Sequence, residues 1–489
     1  MRVPGIVITA PKSGSGKTIV TCALLAALKA GGVRVRAAKC GPDYIDPMFH
    51  RSVLRVPSLN LDTFFTDARM MRSLLAMHAA GNGGCDLIVA EGVMGYFDGL
   101  GGTTSRAGTY EIACETRMPA VLVLDAKGAG LSLCAEAEGF LHFSASAGGI
   151  RNNGIRGLIL NRASAGFYPK LKQILEERTG LPVLGYLPEL KELMLPSRHL
   201  GLCAPEEMES VENFVGRLAE EARKTLDIPR LLAIAREAGE FPDEEAAYFG
   251  AEVRAVLAEK RPCGPAGQSR AGEAGDGPLI AVARDEAFSF LYEENMMVLG
   301  SLGAAVTYFS PLKSDHLPPE TAGLILPGGY PERFAAGLAA NAGMRREIAD
   351  RIRDGMPCAA ECGGFLYLLG SLEGTDGICY DMAGVIEGCG RAAGRLRRFG
   401  YCEARTKTDG LFGPAGTLLK GHEFHYWDTE ERGSGMALTK PYGGRREDAV
   451  FYSDTLAAGF PHFYYPGNIR AQAAYLDACA AYDAGRRRS

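Results

Sequence analysis

Short apolar runs alternate with longer stretches of helical spacing through most of the chain. In the first half the runs are GIVITA (residues 5–10), RVRAAKC (34–40), DLIVAE (86–91), AVLVLDA (120–126), GLILN (157–161) and VLGYL (183–187). Helical patterns lie between several of them, as in VTCALLAALKA (20–30), and residues 205–260, rich in Glu, Ala, Arg and Leu, read as helix. Strand–helix alternation of this kind predicts a parallel sheet covered on both faces. Residues 260–278, KRPCGPAGQSRAGEAGDGP, are dense in Gly, Pro and small polar residues and mark the best domain boundary. A second alternating pattern follows: LIAVARD (279–285), AAVTYFS (304–310), AGLILPGG (322–329) and MPCAAECGGFLYLL (356–369). The expected architecture is α/β with two domains, residues 1–235 and 279–480, joined by a helical segment and Gly/Pro-rich linker over 236–278. The terminal GRRRS reads as a solvated tail.

Composition narrows the class. A chain of 489 residues carries a soft prior of about three domains, and two large ones also fit. Hydrophobic residues at 47% and charged residues at 23% exclude wholesale disorder and fibrous classes. The net charge of −5 gives no footprint for nucleic acid or an anionic membrane. The 13 cysteines are scattered, odd in number and without a C-x-x-C pair, which argues against a zinc ribbon or disulfide framework. A reducing cytosol is the simplest compartment. No apolar window is long enough for a signal peptide or a membrane span, so a cytoplasmic protein is expected.

Two constellations carry chemistry. Gly14-Ser15-Gly16-Lys17-Thr18 follows a predicted strand and opens a predicted helix. The backbone N–H groups of such a loop converge on phosphates, and the helix N-terminus adds partial positive charge. Lys17 would neutralise phosphate charge and the Thr18 hydroxyl would take Mg²⁺. The first glycine of the G-x-x-x-x-G-K-[ST] pattern is replaced by Pro11, and a Gly-rich turn at a helix start is the plain alternative. Lys12 is similar to the extra lysine of deviant loops in MinD-like ATPases, with a solvated lysine as the alternative. Glu91 ends a predicted strand, where a carboxylate beside a phosphate loop can hold Mg²⁺. Asp43 and Asp46 follow another strand in KCGPDYIDP, with a capping or turn role as the plain reading.

Residues 357–369 (PCAAECGGFLYLL) read as strand, sharp turn and helix with Cys362 at the turn. A nucleophile elbow has this form: the side chain projects from a tight turn, adjacent N–H groups stabilise an oxyanion, and a helix N-terminus lowers the thiol pKa. The other cysteines read as small buried hydrophobes. Gly328 and Gly329 in LPGGYP would supply further oxyanion donors, and His462, 100 residues after Cys362, is the candidate base. His422 and His425 in GHEFHY lack the H-E-x-x-H spacing, so a zinc site is unsupported.

Taken together, APKSGSGKT, KCGPDYIDPMFH, SLNLD, EGVMGYFDG, LPSRHLGL, VARDEAF, LPGGYPERF, AECGGFLYL, RLRRFGY and GHEFHY resemble the cobyrinate a,c-diamide synthase family over nearly the whole chain. The resemblance implies a P-loop, dethiobiotin-synthetase-like domain fused to a class I glutamine amidotransferase domain. It implies ATP- and glutamine-dependent amidation of the a and c acetate carboxylates of cobyrinate through an acyl phosphate. By carry-over, Gly14, Ser15, Gly16, Lys17 and Thr18 would bind ATP, with Asn161 reading adenine. Thr18, Glu91 and Asp43 would hold Mg²⁺, Tyr44 would meet the substrate, and Asp46 and Asp98 would serve catalysis. Cys362 would form the γ-glutamyl thioester, activated by His462, with Gly329 and Gly363 as the oxyanion hole. Partners would be small molecules rather than nucleic acid or membrane, and a homodimer stays open. Class I amidotransferases usually carry a Glu two residues after the histidine, but this chain has Tyr464, as the family tends to lack that acid, so the third role is unassigned. Arg395, Arg397 and Arg398 would meet substrate carboxylates or form a solvated face. Two rivals stay open: a related tetrapyrrole such as hydrogenobyrinate or nickel-sirohydrochlorin as substrate, and a MinD-like ATPase switch fused to an inert amidotransferase-like module.

Overall fold

The computed structural model describes residues 1–143, 153–190, 205–259 and 277–487. Most of the 260–278 boundary segment and LPSRHLGL (195–202) lie outside the described residues. The chain divides into two units, Met1–Phe249 and Gly250–Ser489.

In the first unit the strands are β1 (Gly5–Thr9), β2 (Val35–Cys40), β3 (Ser58–Leu61), β4 (Leu87–Glu91), β5 (Ala120–Asp125), β6 (Ile155–Asn161) and β7 (Val183–Leu187). They form one parallel sheet in the order β3-β2-β4-β1-β5-β6-β7. The helices between them are α1 (Lys17–Ala30), α2 (Ile45–Ser52), α3 (Ala68–Ala80), α4 (Thr109–Thr116), α5 (Ser132–His142) and α6 (Tyr168–Thr179). Alternate strand residues go to opposite cores. Ile6, Ile8, Val89, Val121 and Val123 pack with α1 on one face, while Val7, Ile88, Ala90 and Leu122 pack with α3 to α6 on the other. Both faces are dry, which is why these strands are apolar throughout rather than alternating with polar residues. The helical stretch expected over 205–260 is broken into α7 (Pro205–Thr225), α8 (Ile228–Ala235), α9 (Asp243–Ala246) and α10 (Tyr248–Glu259), of which α10 from Gly250 onward belongs to the second unit. Asp227 caps α8 by accepting the Arg230 N–H (3.0 Å), and Pro242 precedes α9. The strand β3 had no counterpart among the expected runs: SLNL is short and carries a polar Asn60, buried for a local purpose described below.

In the second unit, β8 (Leu279–Ala283), β9 (Phe288–Phe290), α11 (Glu293–Ser301), β10 (Ala305–Phe309), β11 (Thr321–Leu326) and β12 (Gly328–Gly329) come first. Then follow α12 (Ala335–Ala340), α13 (Ala342–Arg353), β13 (Cys358–Glu361), α14 (Gly363–Leu368), β14 (Leu369–Glu373), β15 (Cys379–Asp381) and β16 (Ile386–Thr406). The rest is β17 (Leu418–Asp428), β18 (Met436–Thr439), β19 (Arg446–Ala449), β20 (Phe451–Tyr452), β21 (Leu456–Gly459), β22 (His462–Phe463) and α15 (Ile469–Arg486). The sheet β10-β8-β11-β13-β21-β20 is parallel except for its β20 edge. The run expected as one strand over 322–329 breaks at Pro327; β11 stays in the main sheet and β12 turns to pair antiparallel with β9. A further sheet, β15-β14-β16-β17-β22 with β18 and β19, is largely antiparallel and has no counterpart in the expected pattern. Its long strand β16 is interrupted by register shifts near Arg397 and Gly400 and has much exposed surface, so it lacks a continuous apolar run.

Candidate functional site

In the first unit, the chain leaves β1 and turns through residues 10–16 into α1. Gly14 and Gly16 adopt left-handed backbone (φ +82° and +100°), which glycine accepts without strain. Lys17 is buried, and its ammonium donates to the carbonyls of Lys12 (3.3 Å) and Met94 (2.5 Å). Burial, then the charge of Lys39, lowers its pKa. The Thr18 hydroxyl donates to Glu91 Oε1 (2.6 Å). Asn161, at the end of β6, donates its amide to the Ser15 carbonyl (3.0 Å), and a Cβ on Gly16 would fall 1.9 Å from that nitrogen. Asn161, expected to read adenine, here bonds to the loop backbone and braces it. Lys12 is exposed.

Sequence reasoning passed over the residue at the centre of this cluster. Lys39 of β2 lies beside Glu91 of β4 in register. Its ammonium is 2.9 Å from Glu91 Oε1 and 3.7 Å from Asp43 Oδ2, and it pairs closely with Asp46. Burial opposes its charge, but Asp46, Glu91 and Asp43 together raise its pKa. Burial likewise opposes the Glu91 carboxylate, and Lys39, His50 and Thr18 nevertheless hold it ionised, its pKa below the ordinary value. His50 Nε2 lies 3.7 Å from Glu91 Oε2. Asp46 is pushed up, first by burial and then by Glu91. The available signal was a lysine inside an apolar strand run followed by two acids, Asp43 and Asp46, since lysine is rarely buried unless paired.

Asp43 also shapes the loop: its Oδ1 accepts the N–H groups of Ile45 (2.8 Å) and Asp46 (3.2 Å) and so starts α2. Asn60 of β3 donates to the carbonyls of Gly41 (2.9 Å) and Asp43 (2.7 Å), fixing this loop from the neighbouring strand. Tyr44 is buried at the start of α2. Asp98 is half-buried, accepts the Gly95 N–H (3.1 Å), and its charge partly opposes the lowering of the Lys17 pKa. The structure thus gathers Lys17, Thr18, Asp43, Asp46 and Glu91 around Lys39, with Asp98 beside Lys17.

In the second unit, Cys362 joins β13 to α14 in left-handed backbone (φ +49°, ψ −103°). That is strained for a side-chain-bearing residue and is the form of a nucleophile elbow. Its N–H donates to the Gly459 carbonyl (2.7 Å), tying it to β21. A Cβ on Gly363 would fall 2.9 Å from the Gly329 nitrogen, so the two glycines named for the oxyanion hole are neighbours. A Cβ on Gly328 would fall 2.2 Å from His462 Cε1, so the imidazole lies against that glycine. The buried His462 stands opposite His422 in the β17–β22 pairing. Burial, then Glu332, raises the Cys362 thiol pKa, and burial lowers His462 to about 3. Burial thus disfavours both the thiolate and the imidazolium, so the lowering of the thiol pKa expected from the helix N-terminus is outweighed by desolvation.

Tyr464, in the place where many such sites carry an orienting acid, is buried with its ring edge-on to Tyr292 (5.1 Å between centroids). His425 stacks on Phe460 (3.9 Å), and its Nδ1–H donates to the Trp427 carbonyl (2.6 Å). Arg398 of the basic cluster is not a free surface charge: it pairs with Glu447 (2.6 Å) and its side chain is 6% exposed. Next to it Lys440 pairs with the buried Glu423 (2.5 Å). Among the described residues no helix is long and apolar enough to cross a membrane.

A phosphate loop on a parallel sheet, and in the other unit a cysteine elbow whose Gly363 neighbours Gly329 together with a buried histidine set against Gly328, define a nucleotide-binding domain joined to an amidotransferase domain. Family models agree: residues 6–202 match the CobQ/CobB/MinD/ParA nucleotide binding domain, and residues 279–466 match the CobB/CobQ-like glutamine amidotransferase domain. The cobyrinate a,c-diamide synthase of Priestia megaterium is 34% identical over 485 residues, 99% of this chain and 98% of the relative. That of Listeria monocytogenes serotype 4b is 37% identical over 448 residues, 90% of this chain and 91% of the relative. That of Thermoplasma volcanium is 34% identical over 488 residues, 99% of both. The chain belongs to the cobyrinate a,c-diamide synthase family, a family of glutamine-dependent amidoligases.

Proposed function

We propose that the protein converts the a and c acetate carboxylates of cobyrinate to amides, using ATP and glutamine, as a cytoplasmic enzyme of cobalamin biosynthesis. Residues 1–235 would carry the synthetase chemistry and residues 279–480 the glutaminase chemistry. The observation that supports this reading is the presence in one polypeptide of a Cys362 elbow backed by Gly329 and a Lys17–Thr18 loop backed by Glu91 and Lys39. Neither half alone accounts for an amide ligase. Relatives with the same printed activity match nearly the full chain.

The carboxylate is a poor acyl donor because its charge repels nucleophiles and it has no good leaving group. One of its oxygens attacks the γ-phosphorus of ATP, ADP leaves, and an acyl phosphate results. Ammonia then adds to the acyl carbon, phosphate departs, and a proton is lost as the amide forms. Lys17 and Lys39 supply fixed positive charge beside the phosphate loop, where charge placed in advance stabilises phosphoryl transfer. Thr18 and Glu91 present adjacent hydroxyl and carboxylate oxygens, the hard donors suited to Mg²⁺. When bound there, Mg²⁺ would offset the phosphate charge. Asp43, which also caps α2, faces Lys39 and stands at the edge of that donor set. Asp46 and Asp98 lie within electrostatic reach of Lys17, and they and Tyr44 at the start of α2 would meet the substrate. Asn161 would keep the loop in shape through the Ser15 carbonyl and meet the adenine of bound ATP.

In the second unit His462 takes the Cys362 proton as the sulfur attacks the glutamine amide carbon, and the Gly329 and Gly363 N–H groups meet the resulting oxyanion. His462 returns that proton to the departing nitrogen, ammonia leaves and a thioester remains, which water hydrolyses to glutamate and the free thiol. The test is mass spectrometry of cobyrinate incubated with protein, ATP, Mg²⁺ and either glutamine or ammonium, with hydrogenobyrinate and nickel-sirohydrochlorin in parallel. Two OH-to-NH₂ exchanges on cobyrinate are expected, and Cys362→Ser should lose the reaction with glutamine but keep it with ammonium. No ATP consumption with any of these acids and either nitrogen source would refute the proposal.

A further inference from the structure

His462 has no acid two residues on, yet its segment is held firmly. Strand β22 is only His462–Phe463, paired on one side to β17. A two-residue strand does not by itself fix an imidazole. The fixing comes from side chains. Glu361 Oε1 accepts the Phe463 N–H (3.2 Å) and the Tyr465 hydroxyl (3.4 Å). From α11, Asn295 donates to the Phe463 carbonyl (2.8 Å) and accepts the Tyr465 N–H (2.9 Å). Four hydrogen bonds from two side chains therefore clamp the chain immediately after the histidine. Glu361 is also the residue immediately before Cys362, aligned with Gly459 in the β13–β21 pairing. One carboxyl group thus links the nucleophile's strand to the base's strand.

We propose that Glu361 is the positioning residue of this glutaminase site. It takes up, from the nucleophile's own strand and through the backbone, the orienting role that an acid after the histidine would otherwise perform on the ring. The inference rests on the reading of Cys362 and His462 as the glutaminase pair. The chemistry asks for an acceptor at Oε1 rather than a negative charge, because both partners donate to it. Burial holds the carboxyl neutral enough for this, raising it to about 8. Glutamine keeps that acceptor, whereas leucine removes it at similar size. His425 is a weaker candidate, since its Nδ1–H is committed to Trp427 and its ring to Phe460.

The experiment compares Glu361→Leu and Glu361→Gln with the wild-type full chain, measuring kcat and KM for glutamine and the rate supported by ammonium. Leucine should lower kcat with glutamine on the order of 10- to 100-fold, the cost of a displaced catalytic group, while KM stays within about twofold. The ratio of glutamine- to ammonium-supported rate should fall by the same factor, and Glu361→Gln should restore most of kcat. If the leucine variant does not fold, Tyr465→Phe removes one of the two donors and should lower kcat severalfold at constant KM. A leucine or phenylalanine variant with wild-type kcat, a rise in KM alone, or a parallel loss of both nitrogen sources would overturn the proposal. Retention of glutamine use by Cys362→Ser would instead overturn the glutaminase reading on which it stands, so the two failures are separable.

Discussion

Replacing Gly328 by alanine is a test of steric placement at the base. The added Cβ would lie 2.2 Å from His462 Cε1, 3.0 Å from Nδ1 and 3.2 Å from Nε2. Real carbon contacts start near 3.4 Å, so the imidazole must retreat by roughly 1 Å, because a well-packed interior has no slack to absorb the methyl. Gly328 is not at positive φ, so alanine costs nothing in backbone conformation there, and the effect isolates the clash. His462 cannot rotate away freely: it is buried, and the chain after it is clamped by Glu361 and Asn295. A displacement of about 1 Å at a catalytic group costs about 100-fold in rate, and overpacking costs about 1–3 kcal/mol of stability. The assay is steady-state glutamine hydrolysis, with ammonium-supported amidation and thermal melting measured alongside. The expected outcome is a kcat with glutamine about 100-fold lower, a nearly unchanged ammonium-supported rate and a modest drop in Tm. Glutamine turnover within about threefold of wild type would show that the ring is not needed where the structure places it.

Two further outcomes follow from the buried charges. Lys39→Ala leaves Glu91, which is fully buried, and Asp46 facing each other without their cation, and should cost about 3–5 kcal/mol in urea unfolding. A loss under about 1 kcal/mol would mean that the cluster behaves as a surface pair. Glu332 gives a pH signature: burial raises its carboxyl to about 7, above the ordinary value of about 4.3, so the folded state binds this proton more tightly than the unfolded state. The stability tied to that proton is complete below the ordinary value and is lost as pH rises through about 7. Wild-type Tm should therefore decline between pH 5 and 8, and Glu332→Gln should flatten the decline; an unchanged slope would refute the assignment.

Much of the architecture is written locally. Parallel strands buried on both faces must be apolar along their whole length, so β1, β4, β5, β8 and β11 announce themselves as runs, and the glycines at positions 14 and 16 and the Cys362-Gly363-Gly364 turn announce where the backbone takes unusual angles. Those signals depend on near neighbours and on backbone sterics, which a linear pattern records. The β14–β19 sheet and β3 were hidden because their strands are short, half-exposed or broken by register shifts, leaving no periodicity to read. The partnerships at the sites were hidden for another reason. Lys39 meets Glu91 only because β2 and β4 are neighbours in the sheet, although 52 positions separate them in the chain. Glu361 reaches Phe463 across 102 positions because β13 and β21 are adjacent. Residue type along the chain determined which groups could do chemistry; strand order and register, set by how the whole sheet buries its apolar faces, decided which of them meet.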